Sequence, residues 1–224
     1  MARKGSIDNP ASLYDALNSA NLWPGDTVYL REGIYTGEWV ATVNGTSESR
    51  ISLCAYPGER VIIDGSLTLG DYMDAVDLEV CRLGWQTRTT AESGSNPSDI
   101  PDNSGIILGT GSRAINCTIH NGTQGVVGFK TGFTLYGCMV FNNGWIGPDR
   151  AHGHGLYSHN TGGSLNTIKH NLFGPNYGWG LHLYSAGGNP IQDYLIEENA
   201  IRDAPNTIGG DFAALKDIEM NRNI

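Results

Sequence analysis

Long apolar segments are missing from this sequence. No run of about 18 apolar residues, the length that a transmembrane helix needs, occurs in it. Residues 1–6 are partly charged and no apolar segment follows them, so the chain shows no secretory signal peptide. We therefore expect no insertion into a membrane.

Basic residues are few and do not cluster. The chain has 14 Lys and Arg against 23 Asp and Glu, which gives a formal net charge of −9. Nucleic-acid binding depends on grouped Lys and Arg that neutralise phosphates, so this composition argues against a nucleic-acid partner. For the same reason, a polyanionic ligand would need a bridging cation.

Paired cysteines are also absent. The four cysteines form no Cys-x-x-Cys pair, show no metal-ligand spacing and are too few for a disulfide scaffold of this length. They are Cys54, Cys81, Cys117 and Cys138. We predict reduced, small, buried side chains that bind no metal.

Helical periodicity is confined to one segment near the start. Apolar residues recur at helical spacing from Leu13 to Ala20, Asn9 can cap the segment, and Pro10 suits its first position. The pattern predicts a helix from about Pro10 to Ala20.

Short strands fill the remainder of the sequence. Residues 27–30, 51–53 and 61–65 are examples, and each segment is bounded by Gly, Asn, Asp or Pro. The 31 glycines indicate many tight turns. We expect an all-β chain of one domain, with residues 1–25 as an N-terminal cap and residues 26–224 as the β region.

An internal repeat organises the β region. Its form is an aliphatic residue, two further residues, Cys or Asn, one further residue, and a second aliphatic residue. Intervals of 21 to 36 residues separate the copies, which is typical of a solenoid. The copies begin at Leu78, Ala114, Leu135, Ile168, Ile196 and Ile218.

Stacked coils would convert this repeat into columns. Each coil would supply three short strands and lie about 4.8 Å from the next. The fourth position of the repeat then forms a column in which Asn amides hydrogen-bond along the stack and thiols fill the same space. The predicted column consists of Cys81, Cys117, Cys138, Asn171, Asn199 and Asn221.

Two segments carry a resemblance to a known superfamily. Residues 24–37 read PGDTVYLREGIYTG, and residues 61–65 read VIIDG. With the coil pattern, they resemble the pectin-lyase-like superfamily, and the opening is most similar to polysaccharide lyases of the alginate lyase and chondroitinase B type. The resemblance implies a single-stranded right-handed parallel β-helix of about eight coils with an N-terminal capping helix.

The resemblance extends to parts of known active sites. Residues 153–155, Gly-His-Gly, resemble an element of polygalacturonase-like hydrolases in which the histidine supports paired aspartates. The paired aspartates and the Arg-Ile-Lys segment of those enzymes do not occur in this sequence. Lyases of the alginate type hold a cation with Asn and Glu, which implies calcium as a candidate cofactor and Glu197, Glu198 and Asn199 as candidate ligands. Because these three residues fall on the strand of the Asn column and its turn, we expect them to be solvated rather than to bind a metal.

Most histidines fall in one stretch that contains two copies of a strand pattern. The copies are residues 155–159, GLYSH, and residues 180–184, GLHLY. Period-two alternation means that one face of each strand is buried, so the rings point outward. Stacked in register, the strands place Tyr157 against His182 and His159 against Tyr184. The same alignment places His154 over Trp179, and adds Phe129 and Asp211 to the column of His159.

Two insertions should wall this row of rings into a cleft. They span residues 85–104 and residues 142–153, and both enter the coil just before the ring-bearing strand. Aromatic faces in a groove suit sugar rings, whose hydroxyls find imidazole and carboxylate partners. The alternative is that outward Tyr and His only stabilise the sheet by cross-strand stacking. The predicted substrate-binding residues are Phe129, Trp145, Tyr157, Trp179, Tyr184 and Asp211, and the predicted catalytic residues are His154, His159, His182, Asp149 and Arg150.

Two functions remain open from the sequence. One is a polysaccharide lyase or glycoside hydrolase that uses these residues for proton transfer. The other is a non-catalytic glycan-binding or structural β-helix of an adhesin, a surface layer or a phage tail. Either would act outside the cell or at a cell or virion surface. Because Ile224 falls in the middle of a coil, we also expect a fragment of a longer chain, whose further coils, or a partner, cover that end.

Overall fold

The computed structural model of the chain describes residues 5–18, 22–85, 88–101, 104–160, 162–184, 190–202 and 215–224. Within these ranges it contains one helix, α1 (Leu13–Asn18), and 21 strands. The strands are β1 (Thr27–Leu30), β2 (Gly33–Val40), β3 (Ile51–Ala55), β4 (Val61–Thr68), β5 (Met73–Val76), β6 (Glu79–Cys81), β7 (Ser104–Ile107), β8 (Arg113–Ile115), β9 (Thr118–His120), β10 (Gln124–Gly128), β11 (Thr134–Tyr136), β12 (Met139–Phe141), β13 (Trp145–Ile146), β14 (Ala151–His152), β15 (Leu156–Ser158), β16 (Asn166–Lys169), β17 (Leu172–Phe173), β18 (Leu181–Leu183), β19 (Ile191–Glu197), β20 (Ala200–Ile201) and β21 (Leu215–Asn221).

The strands stack as a right-handed parallel β-helix. Its first face is an 8-stranded parallel sheet in the order β1-β3-β5-β8-β11-β16-β19-β21. Each of these strands opens one coil, so the third coil contains β5, β6 and β7 and the fifth contains β11, β12 and β15. The predicted fold class and the predicted number of coils are therefore confirmed.

A second, 11-stranded sheet covers the other two faces of the coil. In the first two coils, β2 and β4 run without a break through the corner between these faces. Gly65 lies at this corner of β4 with a φ of +148°, and a Cβ atom there would overlap the carbonyl oxygen of Gly37. From the third coil onward separate strands serve the two faces: β6, β9, β12, β17 and β20 on the second, and β7, β10, β15 and β18 on the third.

Period-two alternation builds the core as the sequence predicts. On the third face, Ile106, Val126, Leu156 and Leu181 pair in register along the stack, and each is fully buried. Their neighbours along each strand point outward. Burial of the aliphatic columns fixes the register, because a shift of one residue would bring the outward side chains into the core.

A single residue in the left-handed conformation makes the corner between the first and second faces. It has a φ between +47° and +66° in the coils that carry Asp77, Asn116, Gly137, His170, Glu198 and Arg222. At the first five of these corners, the residue that follows is buried and hydrogen-bonds to the next coil. The backbone N–H of Cys138 donates to Oδ1 of Asn171 at 2.9 Å, and the N–H of Asn171 donates to Oδ1 of Asn199 at 3.0 Å.

The ends of this column differ from the prediction. Cys117 and Cys138 are in it, but the position in the third coil belongs to Leu78, because Cys81 pairs with His120 on the second face. In the last coil the position belongs to Asn223, whose Oδ1 accepts the N–H of Asn199 at 3.1 Å, and not to Asn221. All four cysteines are free thiols, as predicted.

Helix α1 caps the first coil and is shorter than predicted. Ser12 caps it in place of Asn9, since the Ser12 hydroxyl accepts the N–H of Asp15 at 3.1 Å. Leu13 and Leu17 are buried against the first coil, and the predicted end at Ala20 lies outside the described residues. No helix in the described part of the chain is long and apolar enough to cross a membrane.

Candidate functional site

The ring-bearing strands lie on the third face in the predicted register. Val127 of β10, Tyr157 of β15 and His182 of β18 occupy equivalent positions on successive coils. The rings of Tyr157 and His182 stack at 5.0 Å between centroids with an interplanar angle of 26°. Both side chains are partly exposed, because the core takes the residues on either side of them.

A second column of rings runs beside the first. His159 stacks on Phe129 at 4.5 Å, and Phe129 is 41% exposed. Tyr184 contacts Tyr157 at 5.9 Å and His182 at 5.7 Å. We predicted that His159 and Tyr184 would contact each other. The contacts described here join His159 to Phe129, and Tyr184 to Tyr157 and His182. We call the set formed by Phe129, His154, Tyr157, His159, Trp179, His182 and Tyr184 the ring face.

His154 is held by three hydrogen bonds at the edge of the ring face. Its backbone N–H donates to Oε1 of Gln124 at 2.8 Å. The backbone N–H of Trp179 donates to its Nδ1 at 2.9 Å, and its Nε2 lies 2.9 Å from Nδ1 of His182. Because a backbone amide can only donate, Nδ1 of His154 carries a lone pair and Nε2 carries the proton.

This tautomer fixes the next one. Nε2–H of His154 donates to Nδ1 of His182, so the proton of neutral His182 is on its own Nε2. A proton added to Nδ1 of His182 would face the Nε2–H of His154.

Three side chains of the ring face have pKa values shifted in favour of their neutral forms. Burial lowers the pKa of His154 to about 3, with the charges of His182, His152 and Arg150 adding to the effect. Burial also lowers the pKa of His159. For Tyr157, burial and then the Tyr184 phenol raise the pKa, so the phenol keeps its proton.

The two insertions meet beside this face. β13 and β14 form an antiparallel hairpin within residues 142–153, and Ile146 of that hairpin bridges to Thr89 of the other insertion. The backbone N–H of Ile146 donates to the carbonyl of Arg88 at 2.9 Å. The Arg88 guanidinium in turn covers the Trp85 ring at 3.7 Å and donates to the carbonyl of Gly144 at 3.0 Å. We call this pair of loops the platform.

Trp145 is a core residue of the platform and not a sugar-binding surface. It is 4% exposed and stacks on His152 at 5.0 Å with an interplanar angle of 4°. Its burial leaves little of the ring for contact with a sugar. His152, which the sequence pattern did not single out, is also buried and lies 3.1 Å from Oδ1 of Asp149.

Asp149 and Arg150 are committed to each other and to the hairpin. The Arg150 guanidinium donates to Oδ2 of Asp149 at 3.0 Å and lies 3.4 Å from the Ser95 hydroxyl. The hydrogen bond to His152 is the main reason that the pKa of Asp149 is lowered. Asp149 therefore stays ionised, and its carboxylate links His152 and Arg150 within the hairpin loop.

Asp211 and the candidate calcium ligands are the remaining predicted residues. Asp211 lies outside the described residues. Of the proposed calcium ligands, Asn199 is buried, and its Oδ1 accepts N–H groups from Asn171. Glu197 binds Lys169 at 2.6 Å, and Glu198 binds Arg222 at 2.9 Å. Ion pairs and the asparagine ladder therefore engage the oxygen atoms of all three residues.

A second asparagine ladder, which the repeat did not reveal, anchors the platform to the coil. Asn143 follows the left-handed Asn142 at the corner between the second and third faces. Its Oδ1 accepts the N–H of Gly122 at 2.9 Å, and its own N–H donates to Oδ1 of Asn176 at 3.1 Å. The Asn-Asn-Gly at the start of the insertion was the only sequence signal for it.

Comparison with known proteins identifies the fold. No protein-family model and no curated protein matches the chain. Among solved structures, the pectate lyase Pel9A superposes on 97% of this chain with a TM-score of 0.66 at 16% sequence identity. This likeness establishes the parallel β-helix of the pectate lyase type. The chain spans 58% of the length of Pel9A.

Two further structures are more distant. They are the family 6 polysaccharide lyase Pedsa3628 from Pseudopedobacter saltans, with a TM-score of 0.43, 15% identity and coverage of 89% of this chain and 59% of that one, and a mannuronic acid specific family 6 lyase from human gut microbiota, with a TM-score of 0.37, 16% identity and coverage of 88% and 64%.

Proposed function

We propose that the ring face binds a carbohydrate chain and that this chain is neutral. The observation that carries the proposal is the set of half-exposed aromatic rings on adjacent coils, interleaved with imidazoles. Aromatic faces pack against the C–H faces of sugars, and the half-exposed rings of Phe129, Tyr157 and Tyr184 supply such faces side by side. In this proposal the platform walls one side of the ring face.

The charges near the ring face support a neutral ligand. His154 is neutral at physiological pH, and Arg150 is paired with Asp149. The chain as a whole carries a formal charge of −9, which repels a polyanion. A uronate polymer, the kind of ligand implied by the name of Pel9A, would bring a negative charge on each sugar to a face with little to neutralise it.

The geometry supports recognition better than catalysis. A general base needs a free lone pair within reach of the substrate proton, whereas both ring nitrogens of His154 are hydrogen-bonded and Nδ1 of His182 accepts from His154. Tyr157 stays protonated because its pKa is raised. Asp149, which we expected to assist, is held by His152 and Arg150. A polysaccharide lyase or hydrolase remains the alternative function.

The fold that the chain shares with Pel9A supports the proposal, because Pel9A is a pectate lyase. A polysaccharide ligand would place the protein outside the cell or at a cell or virion surface.

The test is a glycan array with neutral and uronate oligosaccharides, followed by titration calorimetry of the best ligands with and without calcium. We expect binding to a neutral glycan that calcium does not change. Tyr184→Ala should weaken it by about 1 to 3 kcal/mol, the scale of one lost aromatic contact. Tyr136→Ala is the matched control, because Tyr136 is a 43% exposed tyrosine on the first face.

The outcomes separate the ideas. No binding to any glycan would contradict the proposed function, whereas binding to uronates alone would contradict only the neutral class. Parallel assays for unsaturated products and for new reducing ends, made on the same polysaccharides, test the catalytic alternative.

A further inference from the structure

The second face carries a group of three side chains that neither the repeat nor the ring face explains. Cys81 of β6 pairs in register with His120 of β9, and Glu79 precedes Cys81 by two residues on the same strand. All three point outward, because Val80 and Ile119 between them are fully buried. One ligand atom of each lies within 4.8 Å of those of the other two.

The group is held in place by its neighbours. Nε2 of His120 lies 3.2 Å from Oε1 of Glu79. The His120 ring stacks on Phe141 of the next coil at 5.0 Å with an interplanar angle of 4°. Cys81 is 1% exposed, and the side chains of His120 and Glu79 are 15% exposed. The three ligand atoms are therefore ordered and shielded before any ion arrives.

We propose that Glu79, Cys81 and His120 bind a divalent transition-metal ion of the Zn²⁺ class. Thiolate, imidazole and carboxylate are the three side chains that Zn²⁺ takes as ligands, and a thiolate disfavours Ca²⁺ and Mg²⁺. Three protein ligands leave a fourth position for water. Binding displaces the thiol proton of Cys81 to solvent. The proton on Nε2 of His120, which Glu79 accepts in the metal-free protein, moves through solvent to Nδ1, so that Nε2 coordinates through its lone pair and Glu79 exchanges this hydrogen bond for coordination.

The charges around the group favour a cation. Asp64 of β4 pairs in register with Cys81 on the preceding coil, and its Oδ1 accepts the N–H of Leu83 at 2.8 Å. Glu79 and Asp64 therefore bring two carboxylates to one thiol. The opposing charge is that of Arg60, which donates to both oxygens of Glu79 at 2.8 and 3.0 Å. Its side chain is 70% exposed, so its guanidinium can swing into solvent when a metal takes its place.

The site is independent of the proposed carbohydrate function, because it lies on the second face and shares no residue with the ring face. It was missed in the sequence because Cys81 and His120 are far apart along the chain and no spacing of cysteines or histidines signals them.

The test is a titration of untagged, thiol-reduced protein with Co²⁺, which reports a cysteine ligand through a thiolate-to-cobalt charge-transfer absorption. We expect one Co²⁺ per chain with this band, and its loss on addition of Zn²⁺. Cys81→Ser should abolish the band. His120→Asn and Glu79→Gln should each weaken Co²⁺ binding by at least about 10-fold, since each removes a ligand.

Cys54→Ser is the matched control, because Cys54 is a free, partly exposed thiol on the first face that should leave the titration unchanged. Circular dichroism and thermal unfolding establish that each variant is folded. The absence of a charge-transfer band in the wild-type protein would overturn the proposal. So would a band that Cys81→Ser retains, or one that Cys54→Ser removes.

Discussion

Nε2 of His154 lies 2.9 Å from Nδ1 of His182 on the adjacent coil, and the proton between them belongs to His154. The direction follows from a third group, the backbone N–H of Trp179, which occupies the other nitrogen of His154. A main-chain amide thus orients two side chains in succession. The outer one, His182, lies on the ring face, so the orientation set by a backbone amide reaches that surface.

The first prediction concerns the protonation of His154. Its imidazole nitrogens should show the Nε2–H tautomer by NMR, with no titration above about pH 5, because burial lowers its pKa to about 3 from the ordinary 6.5. Nitrogen-15 shifts of the ring measured across this range check it. A His154 that gains a proton near pH 6 would contradict the tautomer assignment and the hydrogen-bond direction.

The same pKa predicts how stability depends on pH. The unfolded chain binds a proton at this histidine near pH 6.5 and the folded chain only near pH 3, so the contribution is complete above about pH 6.5 and is lost as the pH falls towards 3. Between about pH 6.5 and pH 5, the free energy of unfolding should fall by about 1 to 2 kcal/mol more in the wild-type protein than in His154→Gln. Urea denaturation at both pH values measures the difference. An equal change in unfolding free energy between the two pH values in both proteins would contradict the prediction.

Tyr157 provides a separate test of the ring face. Its ring stacks on His182 and meets Phe129 edge-on at 5.0 Å, so it lies at the centre of the set. Tyr157→Ala should weaken binding of the best array glycan by about 1 to 3 kcal/mol, whereas Tyr157→Phe keeps the ring and should lose about 1 kcal/mol or less. Titration calorimetry of both variants with the same glycan measures the two affinities. Equal affinities for the two variants would show that the ring does not contact the sugar.

Asn171 tests the buried ladder at the first corner. Its Oδ1 accepts the N–H of Cys138, and its Nδ2 donates to the carbonyl of Leu135 at 2.9 Å. Asn171→Ala leaves these groups buried without partners and should cost about 2 to 4 kcal/mol of unfolding free energy. Asn171→Cys should cost less, because Cys138 already accepts the N–H of Cys117 through Sγ at 3.4 Å. Urea denaturation compares the two, and a cysteine variant no better than the alanine variant would contradict the role of the ladder.

Gly65 tests the corner of the long strands. Gly65→Ala places a methyl group on the carbonyl oxygen of Gly37, in a conformation with a φ of +148°, and should cost more than about 3 kcal/mol. Gly58 is the control. Its φ is +80°, and a Cβ atom there would have no neighbour within 4 Å, so Gly58→Ala should cost only about 1 to 2 kcal/mol. Thermal and urea unfolding measure both, and similar losses would show that the close approach to Gly37 does not matter.

The sequence predicted the register of the third face because a local rule decides it. Leu156 and Leu181 cannot both be buried unless Tyr157 and His182 point outward, and parallel stacking then brings those two rings together. No long-range information is needed beyond the existence of the coil. The same parity argument placed His154 beside Trp179.

The column at the first corner was only partly predictable. In the third coil, the copy of the repeat that the structure uses begins at Ala75 and puts Leu78 at the small-residue position. Residues 78–83 also fit the pattern, with Cys81 at that position, although Cys81 lies on the second face. Hydrophobic spacing cannot choose between two overlapping frames. The left-handed conformation of Asp77 decides which frame is used, and the identity of the residue, an aspartate, does not reveal that conformation.

The platform was the least predictable part of the site. The burial of Trp145 depends on contacts across loops, where Ile146 pairs with Thr89, and on a stacking partner, His152, that only the hairpin brings near. Loops without periodicity carry no signal for such pairing. The aromatic residue in this loop, Trp145, was therefore predicted to contact a ligand, whereas in the structure it packs inside the platform.

The bridge between Thr89 and Ile146 also has a mechanical consequence. It joins the third coil to the fifth and passes over the fourth, whose turn at this corner contains no insertion. Coils of a solenoid ordinarily touch only the coil before and the coil after, so tension removes them one at a time. Here the loops clasp three coils into one block. Under a pulling force, that block should resist as a unit and then yield in a single long extension.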